Sequence, residues 1–247
     1  MTRHTLLFSF AHPDDESFSG AGTAMRYRAA GARTVLVTAT LGERGKAGNP
    51  PVCAPGELAA CRERELREAA AIIGFDELHL LGFRDRELAE AQPDAVRQPL
   101  VALIRRVRPS VVITFDPNGY NVHPDHVAIS RFTADAIAVA GDPRWFPAVG
   151  EPHVVPRLLW TPPLAPWEMS ERGRIDDVAG TDFVIDVSPW REQRISALRA
   201  HRSQHLSVEK YFLSRPDLDR VVSCEIWRQG YGPAPSRRPA PDIFEGL

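Results

Sequence analysis

The sequence predicts an α/β fold, a Rossmann-like three-layer sandwich on a mainly parallel sheet with elaborated C-terminal loops. Short apolar runs rich in branched and aromatic residues alternate with longer helical patterns through the first half of the chain. Stop signals follow the helical patterns, and this β-α repetition implies parallel strands joined by right-handed crossovers. The second half is more irregular, with Pro, Gly and Trp crowded into two stretches.

Thr5–Phe10, Thr34–Thr40, Glu77–Leu81 and Val111–Phe115 read as buried strands. Between them Ser19–Ala30, Gly56–Ile73 and Ala95–Val107 read as helices, stopped by Gly31, Gly74 and Pro109. Another helix is expected from Asp125 to about Ala140. Gly141–Pro156 and Thr161–Arg174 read as long surface loops that shape a pocket. Leu158–Trp160, Phe183–Val187 and Val221–Trp227 are candidate added strands, and Pro189–Ser203 is a helix that Ser188 can cap. The Pro-rich tail beyond Gly230 reads as extended or loosely packed. The expected organisation is one domain over 1–247: a βα core in 1–140, added strands, loops and helix in 141–230, and a tail in 231–247.

At 247 residues and 43% hydrophobic content, the chain can bury a sizeable core without staples. A formal charge of −2 leaves no basic excess, which argues against nucleic acid as a partner. Cys53, Cys61 and Cys224 are odd in number and lack C-x-x-C spacing, so a disulfide framework is not expected. The apolar stretch Leu6–Ala11 is too short for a signal-peptide core, and no run approaches membrane-spanning length. These features together predict a cytoplasmic protein with a small-molecule partner and no membrane span; self-association stays open.

The first strand runs directly into Ala11-His12-Pro13-Asp14-Asp15-Glu16. In open α/β sheets ligands bind beyond the carboxyl ends of strands, so a site is expected there. The bland alternative is a helix cap, with Asp14 or Asp15 capping and Glu16 compensating the dipole. A second cluster shifts the balance: the fourth strand leads into Asp116-Pro-Asn-Gly-Tyr-Asn-Val and then His123-Pro124-Asp125-His126. Two clusters at neighbouring strand ends can assemble three metal ligands and leave a position for water. A His, His, carboxylate set suits zinc and equally the facial triad of non-haem iron oxygenases.

The paired motifs A-H-P-D-D-E and H-P-D-H resemble the LmbE/PIG-L superfamily of zinc-dependent N-deacetylases. The resemblance extends in order through Thr40-Leu41-Gly42-Glu43, Arg62-x-x-Glu65-Leu66, Leu81-Gly82-Phe83-Arg84-Asp85 and His201-Arg202-Ser203-Gln204. It implies a Zn2+ cofactor held by His12, Asp15 and His126, with Asp14 as general base. It also implies His123 facing the reacting carbonyl as imidazolium, Asp125 orienting that imidazole, and Arg62 and Asp85 contacting sugar hydroxyls. The chain departs from many relatives at Asn121-Val122, where a Gly precedes the first His.

The activity so implied is hydrolysis of an N-acetyl group from a glucosamine-containing conjugate of the bacillithiol or mycothiol-pathway type. An amidase acting on thiol-sugar conjugates is the neighbouring alternative. An iron oxygenase and a non-catalytic sugar-binding module are the rivals of other classes. Among the remaining residues, Asp116 and Asn118 read as turn formers. Glu16, His201, Ser203 and Gln204 read equally as helix-end or pocket groups. Tyr120, Trp160 and Trp167 could stack on a sugar, although loop packing is the simpler reading.

Overall fold

The computed structural model describes residues 4–162, 168 and 180–247. Most of the Thr161–Arg174 stretch, Trp167 included, lies outside the described residues. The chain runs β1 (Thr5–Phe10), α1 (Asp15–Ser19), α2 (Ala21–Ala29), β2 (Arg33–Thr40), α3 (Leu58–Ile73), β3 (Glu77–Phe83), α4 (Pro93–Val107) and β4 (Val111–Thr114). A distorted turn, α5 (Gly119–Val122), precedes α6 (Pro124–Ala140), β5 (Arg157–Trp160), β6 (Phe183–Asp186), α7 (Arg191–Ala200), α8 (His205–Val208), α9 (Leu218–Ser223) and β7 (Cys224–Tyr231).

Among the described residues one seven-stranded sheet has the order β3-β2-β1-β4-β5-β7-β6. β1, β2, β3, β4 and β5 pair in parallel, and β7 runs antiparallel to both β5 and β6. α4 packs on α6, while α2, α3 and α7 pack on one another, so the α/β sandwich expected from the sequence is the fold. Every residue of β1 and of β4 is buried, as strands covered on both faces require. Phe8, Phe10, Leu36, Val112 and Ile113 have no exposure and sit in the central apolar cluster.

The chain leaves β1 for β2 and β3 on one side, then returns to β4 on the other. Leu6, Leu7 and Phe8 register with Val111, Val112 and Ile113, so β1 and β4 are parallel neighbours. The loops after them diverge from a single crevice, the switch point where α/β sheets bind ligands.

Three expectations are corrected in the second half. Val221 and Val222 belong to α9 rather than to a strand, and β7 begins at Cys224. The two valines pack with Ile195, Leu198, Val208 and Phe212 in a satellite cluster, and this burial overrides their β propensity. Ser188 does not cap α7; it opens a 3₁₀ turn, its N–H given to Asp186 Oδ1 at 3.0 Å, and α7 stops at Ala200. The tail is not loosely packed. Ala240 and Ile243 are buried, Tyr27 Oη accepts the Ile243 N–H at 2.8 Å, and Ala240 pairs with Phe183.

Two buried ion-bearing groups fasten these additions. Glu225 of β7 accepts the N–H groups of Gly22 and Thr23 at 2.8 and 2.7 Å and meets Arg194 Nη2 at 3.0 Å. It thereby supplies an anion to the first turn of α2, where the helix dipole favours one. Arg157, fully buried, donates to the carbonyls of Ile243, Pro233 and Glu245 in the tail. Arg157→Ala is expected to cost about 3 kcal/mol of stability by orphaning buried carbonyls. Urea denaturation measures the loss, and proteolysis within 232–247 should precede cleavage elsewhere.

Candidate active site

His12 follows β1, Asp14 and Asp15 open α1, and His123 and His126 flank the start of α6. A crevice of about 480 Å³ brings His12, Asp14, Asp15, Arg62, Asp85, His123 and His126 into one lining. All the residues expected at the site therefore meet there except Asp125, which lies fully buried behind His12.

Asp14 adopts φ 113°, unusual for a residue with a side chain, and this turn sends its carboxylate away from that of Asp15. The strained peptide is held by Glu16, whose Oε2 accepts the Asp14 N–H at 3.0 Å. Glu16 is itself buried and bonded through Oε1 to Ser17 Oγ at 2.6 Å and to His201 Nε2 at 2.7 Å. Burial alone would raise the Glu16 carboxyl, but the charge and hydrogen bond of His201 outweigh it and hold it below its ordinary value. His201 is thus a support beneath the turn rather than a helix-end group.

Asp15 points inward. Its Oδ2 accepts the N–H groups of His12 at 2.7 Å and Ala11 at 3.2 Å. Although burial opposes ionisation, His126 and His12 drive its carboxyl far below the usual range. His12 Nδ1 lies 3.1 Å from His126 Nε2 and 3.6 Å from Asp15 Oδ2, and His126 Nε2 lies 3.4 Å from Asp15 Oδ1. A tetrahedral ion with ligand bonds of about 2.0–2.2 Å needs donor spacings of about 3.3–3.6 Å. The two spacings to Asp15, one to each of its oxygens, fall in that range, while the two ring nitrogens lie slightly closer together than a bound ion would hold them.

The other ring nitrogens are partnered. His126 Nδ1 lies 3.1 Å from Gly119 O, so its N–H donates there and frees Nε2; the ring stacks on Phe115 at 4.0 Å. Gly119 has φ 69°, and a Cβ there would lie 2.6 Å from Val127 N, so only glycine brings that carbonyl so close. Asp116 acts as the turn former expected, accepting from Tyr120 N at 2.6 Å and Asn118 N at 3.2 Å. His12, His123 and His126 also offer nitrogens within 4.8 Å of one another, as do His12, Asp85 and Asp125 with their donor atoms.

Two roles look different in the structure, and Arg62 gains protein partners. The carboxylate of Asp125 faces His12 Nε2 at 3.2 Å, not His123; what His123 receives is the Asp125 backbone N–H, at Nδ1 and 3.2 Å. Since Nδ1 of His123 accepts, a neutral ring carries its proton on Nε2. Burial, and then His12 and His126, lower the pKa of His123, which favours that neutral ring over the imidazolium expected. Arg62 is buried, with Nη2 at 3.2 Å from Asp14 Oδ2 and also donating to Pro13 O, and Nη1 donating to Gly42 O at 3.0 Å.

Burial raises the Asp14 carboxyl, Arg62 opposes this, and the charge of Asp15 adds to it, leaving the group at about 6. Asp85 meets His12 Nε2 through Oδ1 at 3.2 Å and takes the Arg44 N–H on Oδ2 at 2.9 Å. Glu43 in turn accepts the Asp85 N–H at 3.0 Å. Tyr120 lines the crevice, whereas Trp160 lies beside Arg228 in a separate groove near Tyr231.

Sequence reasoning missed some of the wall and its supports. Phe18, Ser207 and Tyr211 line the crevice, and no pattern in the sequence singles them out. Glu65 accepts Ser203 N and Oγ at 2.9 and 2.6 Å, tying α3 to the turn before α8; the quoted R-x-x-E and H-R-S-Q strings were its signal. The 141–156 loop, expected at the pocket, does not line it. Arg105 gathers that loop instead, donating to Phe146 O, Asp142 O and Trp145 O at 2.8–2.9 Å.

The fold and this His/Asp-lined switch point define an α/β protein with a candidate metal centre. Residues 7–137 match the GlcNAc-PI de-N-acetylase (PIG-L) family, and the chain belongs to that family. A protein of Rhodococcus opacus named 1D-myo-inositol 2-acetamido-2-deoxy-alpha-D-glucopyranoside deacetylase is 36% identical over 242 residues, covering 83% of this chain and 82% of its own. A Streptomyces scabiei protein of the same name is 32% identical over 290 residues, covering 99% and 90%. The N,N'-diacetylchitobiose deacetylase of Pyrococcus horikoshii shares the fold, with a TM-score of 0.70, 22% identity and coverage of 91% and 83%.

Because Arg62 grips Asp14, its loss should act on turnover more than on binding. Arg62→Met is expected to lower kcat for an N-acetyl sugar at least about tenfold, with KM within about threefold. A steady-state titration separates the two; a raised KM with unchanged kcat would restore the sugar-contact role.

Proposed function

We propose that the chain is a zinc-dependent hydrolase that removes the acetyl group from a glucosamine-containing small molecule, with a GlcNAc–inositol conjugate as substrate. The observation that carries this reading is the triangle of His12 Nδ1, Asp15 and His126 Nε2, spaced 3.1–3.6 Å apart beside the arginine-held carboxylate of Asp14. The relatives from Rhodococcus opacus and Streptomyces scabiei supply the substrate class by their names. A crevice of about 480 Å³ falls within the range that small-molecule sites use.

His12, Asp15 and His126 would hold the zinc, which when bound polarises an amide carbonyl and acidifies water. Asp14 takes a proton from the attacking water; a carboxyl shifted to about 6 is well matched to accept it near neutral pH and to give it back. His123 donates its Nε2 proton in a hydrogen bond to the carbonyl oxygen as negative charge gathers there. The water oxygen bonds to the acyl carbon, the C–N bond breaks, and the proton from Asp14 passes to the leaving nitrogen. Acetate and a free amine result.

No helix among the described residues is long and apolar enough to cross a membrane. Cys53, Cys61 and Cys224 are free thiols, and we place the enzyme in the cytoplasm, where such thiols persist.

Amine release from the GlcNAc–inositol conjugate, with metal content measured in parallel, tests the proposal. Asp14→Ala should keep one zinc per chain and lose about 10²–10⁴ in kcat. His126→Ala should purify without zinc. A chain that carries iron and consumes oxygen, or releases no acetate from any N-acetyl sugar, would overturn the reading.

A further inference from the structure

Asp125 is completely buried in the first turn of α6, a costly place for a carboxylate without a task. Its oxygens are fixed by two backbone donors of the loop after β3: Arg86 N at 2.6 Å on Oδ2 and Leu88 N at 3.2 Å on Oδ1. Oδ2 then meets His12 Nε2 at 3.2 Å. The Asp85 carboxylate approaches the same nitrogen at 3.2 Å, but it sits at the crevice lining, where Arg44 N is its backbone donor. His12 Nε2 therefore faces only acceptors in these two carboxylates, whereas Nδ1 faces His126 Nε2 and Asp15.

We propose that Asp125 is a positioning residue for the metal site: by accepting the Nε2 proton of His12 it fixes the ring tautomer and rotamer that leave Nδ1 free as a ligand. This rests on the zinc reading of the site given above. It assigns the Asp125 carboxylate to His12 and leaves His123 to be oriented by the Asp125 peptide N–H. The two halves of one residue thereby hold two imidazoles, and they can be separated by substitution, because Asp125→Asn alters the carboxylate and keeps the peptide.

A ligand histidine that loses its carboxylate partner commonly loses about 10–100-fold in metal affinity. Zinc competition against a chromophoric chelator should show that loss in full-length Asp125→Asn, with circular dichroism confirming the fold. Zinc affinity within about twofold of wild type, together with a lowered kcat, would overturn the proposal and return the carboxylate to His123. Imidazole 15N NMR of the zinc-loaded wild-type chain gives a second measurement that needs no variant. The His12 ring proton is expected on Nε2, and a proton on Nδ1 would overturn the assignment even if Asp125→Asn failed to fold. A wild-type chain that takes up no zinc would sink the functional reading and this inference together, an outcome distinct from zinc uptake that is indifferent to Asp125.

Discussion

β1 and β4 lie side by side and run in the same direction, so the chain emerging from each leaves the sheet at one edge. Nothing in local sequence could bring His12 within 3.1 Å of His126, more than a hundred residues away, without that pairing. The crossovers through β2 and β3 matter to the site for a second reason. They return the loop after β3 to the same edge, delivering Asp85 and the peptide donors that pin Asp125. Parallel strand order, set by buried apolar residues, is therefore what converts scattered polar residues into a single constellation.

That constellation is costly in isolation. Asp14 holds a backbone conformation worth about 1–3 kcal/mol of strain for a residue with a Cβ. Ionisable groups from α1, α3, α6 and the turn before α8 are removed from water within a few ångströms of one another. The structure offsets these costs by linking the groups to one another in a chain of pairings. Glu16 holds the Asp14 peptide and is held by His201; Arg62 holds the Asp14 carboxylate and two backbone carbonyls; Glu65 ties the His201 turn back to the helix that carries Arg62.

The polar strings were legible in the sequence because they sit where strands end, and strand ends follow from apolar periodicity. His12, Asp14, Asp15, His123 and His126 all reached the crevice for that reason. What stayed hidden was direction. Arg62 and Asp125 occupy helix positions that sequence can place on an element but not aim; Arg62 meets Asp14 at the crevice lining, and the Asp125 carboxylate turns toward His12 rather than His123. The C-terminal third was harder still. Val221 and Val222 satisfy a strand pattern as well as a helix one, and only their burial with Phe212 and Leu198 decides between them. A Pro-rich tail has no periodicity to announce that a buried Arg157 awaits its carbonyls.

Where selectivity resides follows from the same geometry. The loop gathered by Arg105 stands apart from the crevice, so its Pro and Trp content serves packing. The described wall comes instead from Phe18 and Ser19 after the first motif, Tyr120 and Asn121 before the second, Glu168 of the second expected loop, and Gln204, Ser207 and Tyr211 around α8. Two of these segments are continuous with the A-H-P-D-D-E and H-P-D-H strings, which limits how far they can vary without moving Asp14 or His123. The stretch around α8 is tied to the site at Ser203 by Glu65 and at Gln204 by Lys46 O, and beyond those ties Ser207 and Tyr211 line the crevice. Aromatic and hydroxyl groups there suit the faces and hydroxyls of a sugar conjugate, and a change of aglycone can be accommodated by altering them while the buried pairings beneath stay intact.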